Sequence, residues 1–242
     1  MVINNQYNIS IGKASSLIGV SIDTLRRWDK NGKFIAVRHK SSGNRYYSQE
    51  DIDLFLNDSV ALARKWAFSS VPILPKSNFH CRTRDVFQAR LETFQDKLTK
   101  SIGIEKSSLV TAVTGEIGNN SFDHNLGNWP DILGIFFAIT LNREVVVADR
   151  GRGILVTLGR IDSTLKTDTQ ALAVAFTKII SGRSPEVRGN GLKFVKNIVT
   201  SNPIKLSFQT GNALLELSEK KDKVKVKVVD KTVRGCFAII KY

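Results

Sequence analysis

Residues 116–124 read EIGNNSFDH. Side chains four apart stack on one face of a helix, so Glu116, Asn120 and His124 line up, with Asp123 beside them. An acid, an amide and an imidazole thus occupy a row where an amphipathic helix carries apolar residues. This set suits phosphate chemistry. An amide oxygen such as that of Asn120 is a hard ligand for Mg²⁺, which shares its coordination sphere with phosphates. Glu116, one turn earlier, can orient or deprotonate a water. A second pattern, VVVADRGRGI, is a continuous apolar run that reads as a buried strand ending at Asp149, followed by Gly151 and Gly153. A carboxylate there can accept from the amino group of an adenine while bare backbone packs against the ring. A third, VRGNGLKFVKNIV, sets Gly189 and Gly191 at the opening of a helix that buries Leu192, Val195 and Ile198. Free N–H groups and the helix dipole at such an opening attract phosphate.

Each pattern alone has a plain structural alternative: a solvated helix face, a tight turn, a packing glycine. All three in this order and spacing are far harder to explain that way. Together they resemble the GHKL ATPase superfamily (gyrase, Hsp90, histidine kinases, MutL), whose nucleotide site is the Bergerat fold, over roughly residues 101–242. EIGNNSFDH is similar to its N box, DRGRG to its adenine-reading box and RGNGL to the glycine box of its lid. The resemblance implies that Glu116 is the catalytic base, Asn120 the magnesium ligand and Asp149 the adenine reader. It adds Asp123, His124, Gly151, Gly153 and Ile154 to the ATP pocket, and Arg188, Gly189, Asn190, Gly191 and Leu192 to the phosphate loop. The stretch between Ile154 and Arg188 would be a mobile lid, its ending closest to the anti-sigma-factor and histidine-kinase branch. The strands NALLELSE, KVKVKVVD and GCFAIIKY would complete an antiparallel sheet.

Ahead of this region lies a small unit, residues 7–57. IGKASSLIG has Ile11, Ala14, Leu17 and Ile18 at helical spacing; Gly19 and Val20 turn the chain; Ser21 caps SIDTLRRWDKN, with Asp23 in its first turn. FIAVR, SSGN and RYY follow as a hairpin wing, and Ser48 caps a last helix, SQEDIDLFL. Seven basic residues (Arg26, Arg27, Lys30, Lys33, Arg38, Lys40, Arg45) face one acid, Asp29, between positions 26 and 45. They fall on the second helix and the wing, the two surfaces a helix-turn-helix offers to DNA. ISIGKASSLIGVSIDTLRRWDKNGKF and SGNRYYSQEDI resemble the MerR-like and excisionase-like winged helix-turn-helix domains. The resemblance implies that Thr24, Arg26 and Arg27 face the major groove and that Lys40, Asn44, Arg45 and Tyr47 meet the backbone or minor groove, with Trp28 in the core. The dimerising coiled coil and effector pocket of MerR regulators proper are not evident.

The expected architecture is therefore α+β: a winged helix-turn-helix over 1–58, a helical bridge over 59–100 and a Bergerat-fold α/β sandwich with a mixed sheet over 101–242. In the bridge, Val86, Phe87, Leu91, Phe94 and Leu98 recur at helical intervals, a face for the next domain or a second copy. The chain has 242 residues, 42% of them hydrophobic, enough for real cores. A net charge of +14 and a pI near 9.9 favour an anionic partner. No apolar run approaches the roughly 18 residues of a membrane span, so the expected place is the cytosol, at the nucleoid. Cys81 and Cys236 are isolated, which argues against a disulfide framework or a zinc site.

The leading expectation is a bacterial transcription regulator that binds double-stranded DNA as a homodimer, with ATP and Mg²⁺ as the switch and slow hydrolysis. A protein kinase of the anti-sigma or histidine-kinase type acting on a protein partner, and an accessory protein of a mobile element, stay open. His80 is a poor phosphoacceptor because it opens a helix instead of lying within one.

Overall fold

The computed structural model describes residues 7–38, 42–48, 52, 55, 58–140, 143–178, 191–220 and 223–242. The chain divides into two compact units, 1–61 and 62–242.

In the small unit, β1 (Tyr7–Ser10) leads into α1 (Ile11–Ile18) and α2 (Ile22–Lys30), followed by β2 (Val37–Arg38) and β3 (Arg45–Ser48). Capping sets the helix boundaries. The Ser10 hydroxyl accepts from the Lys13 N–H at 3.4 Å and the Ser21 hydroxyl from the Thr24 N–H at 3.1 Å, each satisfying a donor left free in a first turn. Gly19, left-handed at φ +76°, ends α1, a conformation costly for a side chain with a Cβ. The strands form an antiparallel sheet of order β1-β3-β2. Ile9, Ala14, Ile18, Leu25, Phe34, Ala36, Tyr47 and Ile52 make its core, with Trp28 and Phe55 packed against it. Of the last expected helix, only Ser48, Ile52 and Phe55 are among the described residues.

The larger unit contains most of α3 (Asp58–Phe68), then β4 (His80–Cys81), α4 (Arg84–Ile102), α5 (Ile104–Asn125), β5 (Ile135–Ile139), β6 (Glu144–Asp149), α6 (Gly153–Leu158), α7 (Asp168–Thr177), α8 (Gly191–Ser201), β7 (Lys205–Leu217) and β8 (Val226–Lys241). Its sheet runs β4-β5-β6-β8-β7, and every pairing is antiparallel among the described residues. The expectation of a mixed sheet is thereby corrected. The β7–β8 hairpin places β8 next to β6, so strands of the same sense, β4, β6 and β7 in one direction and β5 and β8 in the other, are never neighbours.

Alternation along the strands feeds two apolar layers. Ile135, Phe137, Val145, Val147, Leu206, Phe208, Ala238 and Ile240 join Phe87, Leu91, Phe94 and Leu98 of α4 and Val110, Val113 and Ile117 of α5 in one core. Phe136, Val146, Ala148, Phe237 and Ile239, which alternate with them, are buried too. Phe136 lies 6.0 Å from the Trp66 ring and 5.1 Å from Phe79, and Phe237 lies 5.6 Å from Phe68. Both sheet faces are therefore covered, which is why VVVAD reads as an unbroken apolar run. The stretch expected as a bridge is thus largely integral to the larger unit: α4 supplies one wall of the core and α3 covers the second face of the sheet.

Candidate functional site

In the small unit, Arg26, Arg27 and Asn44 are exposed, and Thr24 is half-buried at the start of α2. Arg26 pairs with Asp23 at 2.9 Å, one turn back on the same exposed face. Arg45 is less free. Its Nε donates to Asp29 at 2.6 Å, Arg38 reaches the same carboxylate at 3.1 Å, and the Ala36 N–H donates to it at 3.0 Å. Asp29 on α2 thus clamps the wing. Burial raises its pKa, but the hydrogen bonds from Ala36, Arg45 and Arg38 outweigh that and hold it below the usual carboxylate value. Tyr47, expected at the wing surface, is corrected to a core residue: it is 0% exposed and stacks on Phe34 at 4.7 Å. Its ring joins the core of the small unit, while Tyr46 beside it is only half-buried. Lys40 lies outside the described residues.

In the larger unit, helices α5–α8 and strands β6–β8 surround a pocket of roughly 550 Å³, counted to its open mouth. Its floor is Asp149, at the end of β6 and 1% exposed. Donors fix the carboxylate: the Ser121 hydroxyl at 2.8 Å, the Gly151 N–H at 2.7 Å, and the N–H and thiol of Cys236. Burial still raises its pKa, with those bonds opposing. The same burial, with the Asp149 charge next, pushes the Cys236 thiol well above its ordinary value, so it acts as a neutral donor and not as a nucleophile. Gly235 packs directly over the carboxylate: a Cβ there would collide with Asp149 Oδ1 and come within 2.6 Å of both the Asp149 carbonyl oxygen and the Gly151 nitrogen.

The walls are apolar, from Ile117, Ile154, Leu158, Ala175, Leu192 and Phe208. Gly153, at φ +76°, starts α6 in a conformation that side chains resist, and Thr210 holds it there by accepting from the Ile154 N–H at 3.1 Å. Asn125 positions the same turn: its amide donates to the Ser121 carbonyl at 2.8 Å and its oxygen accepts from the Arg152 N–H at 2.9 Å. A buried acceptor between apolar walls suits a flat heterocycle that carries an amino group.

Of the expected site residues, Asn120, His124, Asp149, Gly153, Ile154 and Leu192 line this pocket. Gly151 serves from beneath, through its N–H. Glu116 stands at the next turn of α5, where Gly191 opens α8: a Cβ on Gly191 would come 2.5 Å from Glu116 Oε2 and 3.4 Å from the Asn120 amide nitrogen. Burial raises the pKa of Glu116, and the charge of Asp123 raises it further. Asp123 does not line the pocket; it pairs with Arg84 at the start of α4. Arg188, Gly189 and Asn190 lie outside the described residues. No group of three or more His, Cys, Asp or Glu fit to hold a metal occurs among the described residues. A divalent ion would depend on the Asn120 amide oxygen and on oxygens of its ligand, the habit of Mg²⁺. His80 sits in strand β4 with Nε2 at 2.8 Å from the Leu133 carbonyl, unlike a helical phosphoacceptor. Ser121, Asn125, Thr210, Gly235 and Cys236 escaped the sequence reading. Ser121 and Asn125 have a signal in helical spacing, four and eight positions after Ile117 on the pocket face of α5. Gly235 and Cys236 carry no local signal, because pairing of β8 with β6 alone brings them to Asp149.

Residues 10–47 match the family of MerR family regulatory proteins. A curated relative, the type II methyltransferase M.Eco47II of Escherichia coli, is 27% identical over 112 residues, 46% of this chain and 24% of that protein. Among solved structures, the chain is similar to the topoisomerase IV ATP binding domain of Francisella tularensis in complex with a small-molecule inhibitor. That likeness has 18% identity and a TM-score of 0.34, over 53% of this chain and 34% of that one. It is also similar to the 43K ATPase domain of Thermus thermophilus gyrase B in complex with an aminocoumarin, at 18% identity and a TM-score of 0.34, over 66% of this chain and 40% of that one. The chain thus spans about a quarter of the methyltransferase and well under half of either ATPase structure. Among the described residues, no helix is long and apolar enough to cross a membrane.

Proposed function

We propose that this protein is a DNA-binding regulator whose larger unit binds ATP with Mg²⁺, and that nucleotide occupancy controls DNA binding or the pairing of two copies. The observation that carries the nucleotide half is the buried Asp149 carboxylate, already held by Ser121, Gly151 and Cys236, at the floor of an apolar-walled pocket that also contains Asn120. In this reading Asp149 accepts from the adenine amino group and Ile117, Ile154, Leu158 and Phe208 enclose the ring, while Asn120 would hold a Mg²⁺ ion, which would neutralise phosphate charge. Gly191 leaves room for phosphate beside Asn120 and Glu116. Glu116 accepts the proton of an attacking water, and a raised pKa makes it a stronger base once ionised. Hydrolysis can be slow and occupancy still act as the signal.

The DNA half rests on the MerR family match and on the exposed basic residues of α2 and the wing. Arg26 and Arg27 supply charge to phosphates and base edges, while Asp29 keeps Arg38 and Arg45 aligned on the wing. Calorimetric titration with ATP and magnesium, followed by gel shift on duplex DNA with and without ATP, tests both halves. No heat at millimolar ATP removes the nucleotide reading. Equal DNA affinity in the two states removes the switch and leaves two independent binding functions.

A further inference from the structure

Arg150 separates the Asp149 floor from the glycines of the following turn, and it is fully buried. A buried guanidinium is tolerated only when its N–H groups are paired. Here Nη1 donates to the Trp66 and Ser69 carbonyls at 2.5 and 2.7 Å, while Nη2 and Nε donate to Asp131 at 2.8 and 3.2 Å. Trp66 and Ser69 lie at the C-terminal end of α3, where a helix leaves carbonyls without donors of its own. Arg150 therefore caps α3 from the sheet.

Asp131 is shared, because Arg234 also reaches it at 3.0 Å. Arg150 directly follows Asp149, and Arg234 directly precedes Gly235, the glycine packed on the Asp149 carboxylate. The two backbone segments that form the pocket floor are thus fastened to one carboxylate, and through Arg150 to the end of α3. That helix crosses the division of the chain at 61/62 and so is the covalent link to the small unit.

We infer that Arg150 is a positioning residue that couples occupancy of the Asp149 pocket to α3, the helix through which the chain enters its DNA-binding unit. The inference rests on the nucleotide reading above and gives it a route. A ligand amino group bound to Asp149 fixes the turn 149–151 in one position. The guanidinium has no slack to absorb the change, since Trp66, Ser69 and Asp131 hold it from separate sides. The last turn of α3 then has two states, capped by Arg150 or frayed, and the ligand favours the capped one. Lysine cannot replace this residue, because one ammonium group cannot serve two carbonyls and a carboxylate in a fixed fork.

Hydrogen exchange of the full chain, read by mass spectrometry with and without saturating ATP and magnesium, tests the coupling alongside calorimetry. In the wild type, exchange of residues 62–70 should slow at least about fivefold with ATP, the lower end of usual coupling between sites. In Arg150→Lys at saturating ATP that response should vanish while residues 144–153 still gain protection. Asp131→Asn gives the same comparison if Arg150→Lys does not fold, and the wild-type measurement stands without either variant. ATP binding with protection at 144–153 but none at 62–70 overturns the coupling and leaves the nucleotide reading intact. A response at 62–70 that persists in the folded variants overturns the role of Arg150. No heat and no protection anywhere overturns both.

Discussion

Replacing Gly235 with alanine should damage ATP binding through a single methyl group. No left-handed backbone is involved at this position, so the effect is purely steric. The new Cβ would lie 2.6 Å from the Asp149 carbonyl oxygen and the Gly151 nitrogen, against ordinary contacts of 3.4–4 Å. The floor must therefore open by close to an ångström. None of the obstructing atoms is the tip of a flexible side chain: two are backbone, and the third is the carboxylate held by Ser121 and Gly151. Overpacking of this kind costs about 1–3 kcal/mol in stability. Displacing Asp149 also removes a hydrogen bond to a charged acceptor, worth about 1.5–3 kcal/mol. ATP affinity should then fall roughly 10- to 150-fold. Gly12→Ala is the matched control, since nothing lies within 4 Å of a Cβ there and the site is within helix α1. It should leave ATP binding unchanged and the fold as stable or slightly more so. Calorimetry on both variants, with folding verified by thermal unfolding, decides the matter. A folded Gly235→Ala protein that binds ATP as tightly as the wild type would show that the base does not rest on this floor.

Four other outcomes are expected. Asn120→Ala should abolish binding of ATP with magnesium, and affinity retained in a magnesium titration would remove this side chain from the ion site. Glu116→Gln should bind ATP yet lose at least about a hundredfold in turnover, the scale of a general base; steady phosphate release at the wild-type rate would acquit this carboxylate. Arg26→Ala should weaken duplex DNA binding and reduce its salt dependence while ATP binding is unaffected, because the side chain is exposed and pairs with exposed Asp23 within the small unit. Asp29→Asn should destabilise the small unit by about 1–3 kcal/mol at neutral pH, because a buried acceptor of three hydrogen bonds is altered. Its folded pKa lies below the unfolded value, so this contribution is complete above that value, near 3.8, and is lost as pH falls through the folded pKa. The difference in unfolding midpoint between variant and wild type should shrink in acid; a difference that stays constant would mean that the charge of Asp29 is not what holds the wing.

Local patterns carried much of the small unit. Ser21 is a cap, Gly19 is the turn, and Trp28 packs inward, since caps and short turns are settled by neighbours within a few positions. The face of α5 was equally legible, because helical spacing alone aligns Glu116, Asn120 and His124. Tyr47 was misread because RYYS has no period long enough to say which face of a four-residue strand meets the core. The bridge was misplaced for a related reason: Phe87, Leu91, Phe94 and Leu98 announce a buried helix face, but amphipathicity does not name the surface that covers it.

The sequence by itself determined which groups are available: a carboxylate at the end of an apolar strand, an amide row on a helix, glycines at the turns and a cluster of cations near the start. Only tertiary structure decided which of them meet. Pairing of β8 with β6 brings Gly235 and Cys236 onto Asp149 from far along the chain, and Asp123 pairs with Arg84 of α4. Burial of Arg150 against the end of α3 belongs to the same class. Hydrogen bonds and steric contact act over a few ångströms, so any contact made across a long loop is set by the packing of whole elements and leaves no trace in the spacing of neighbouring residues.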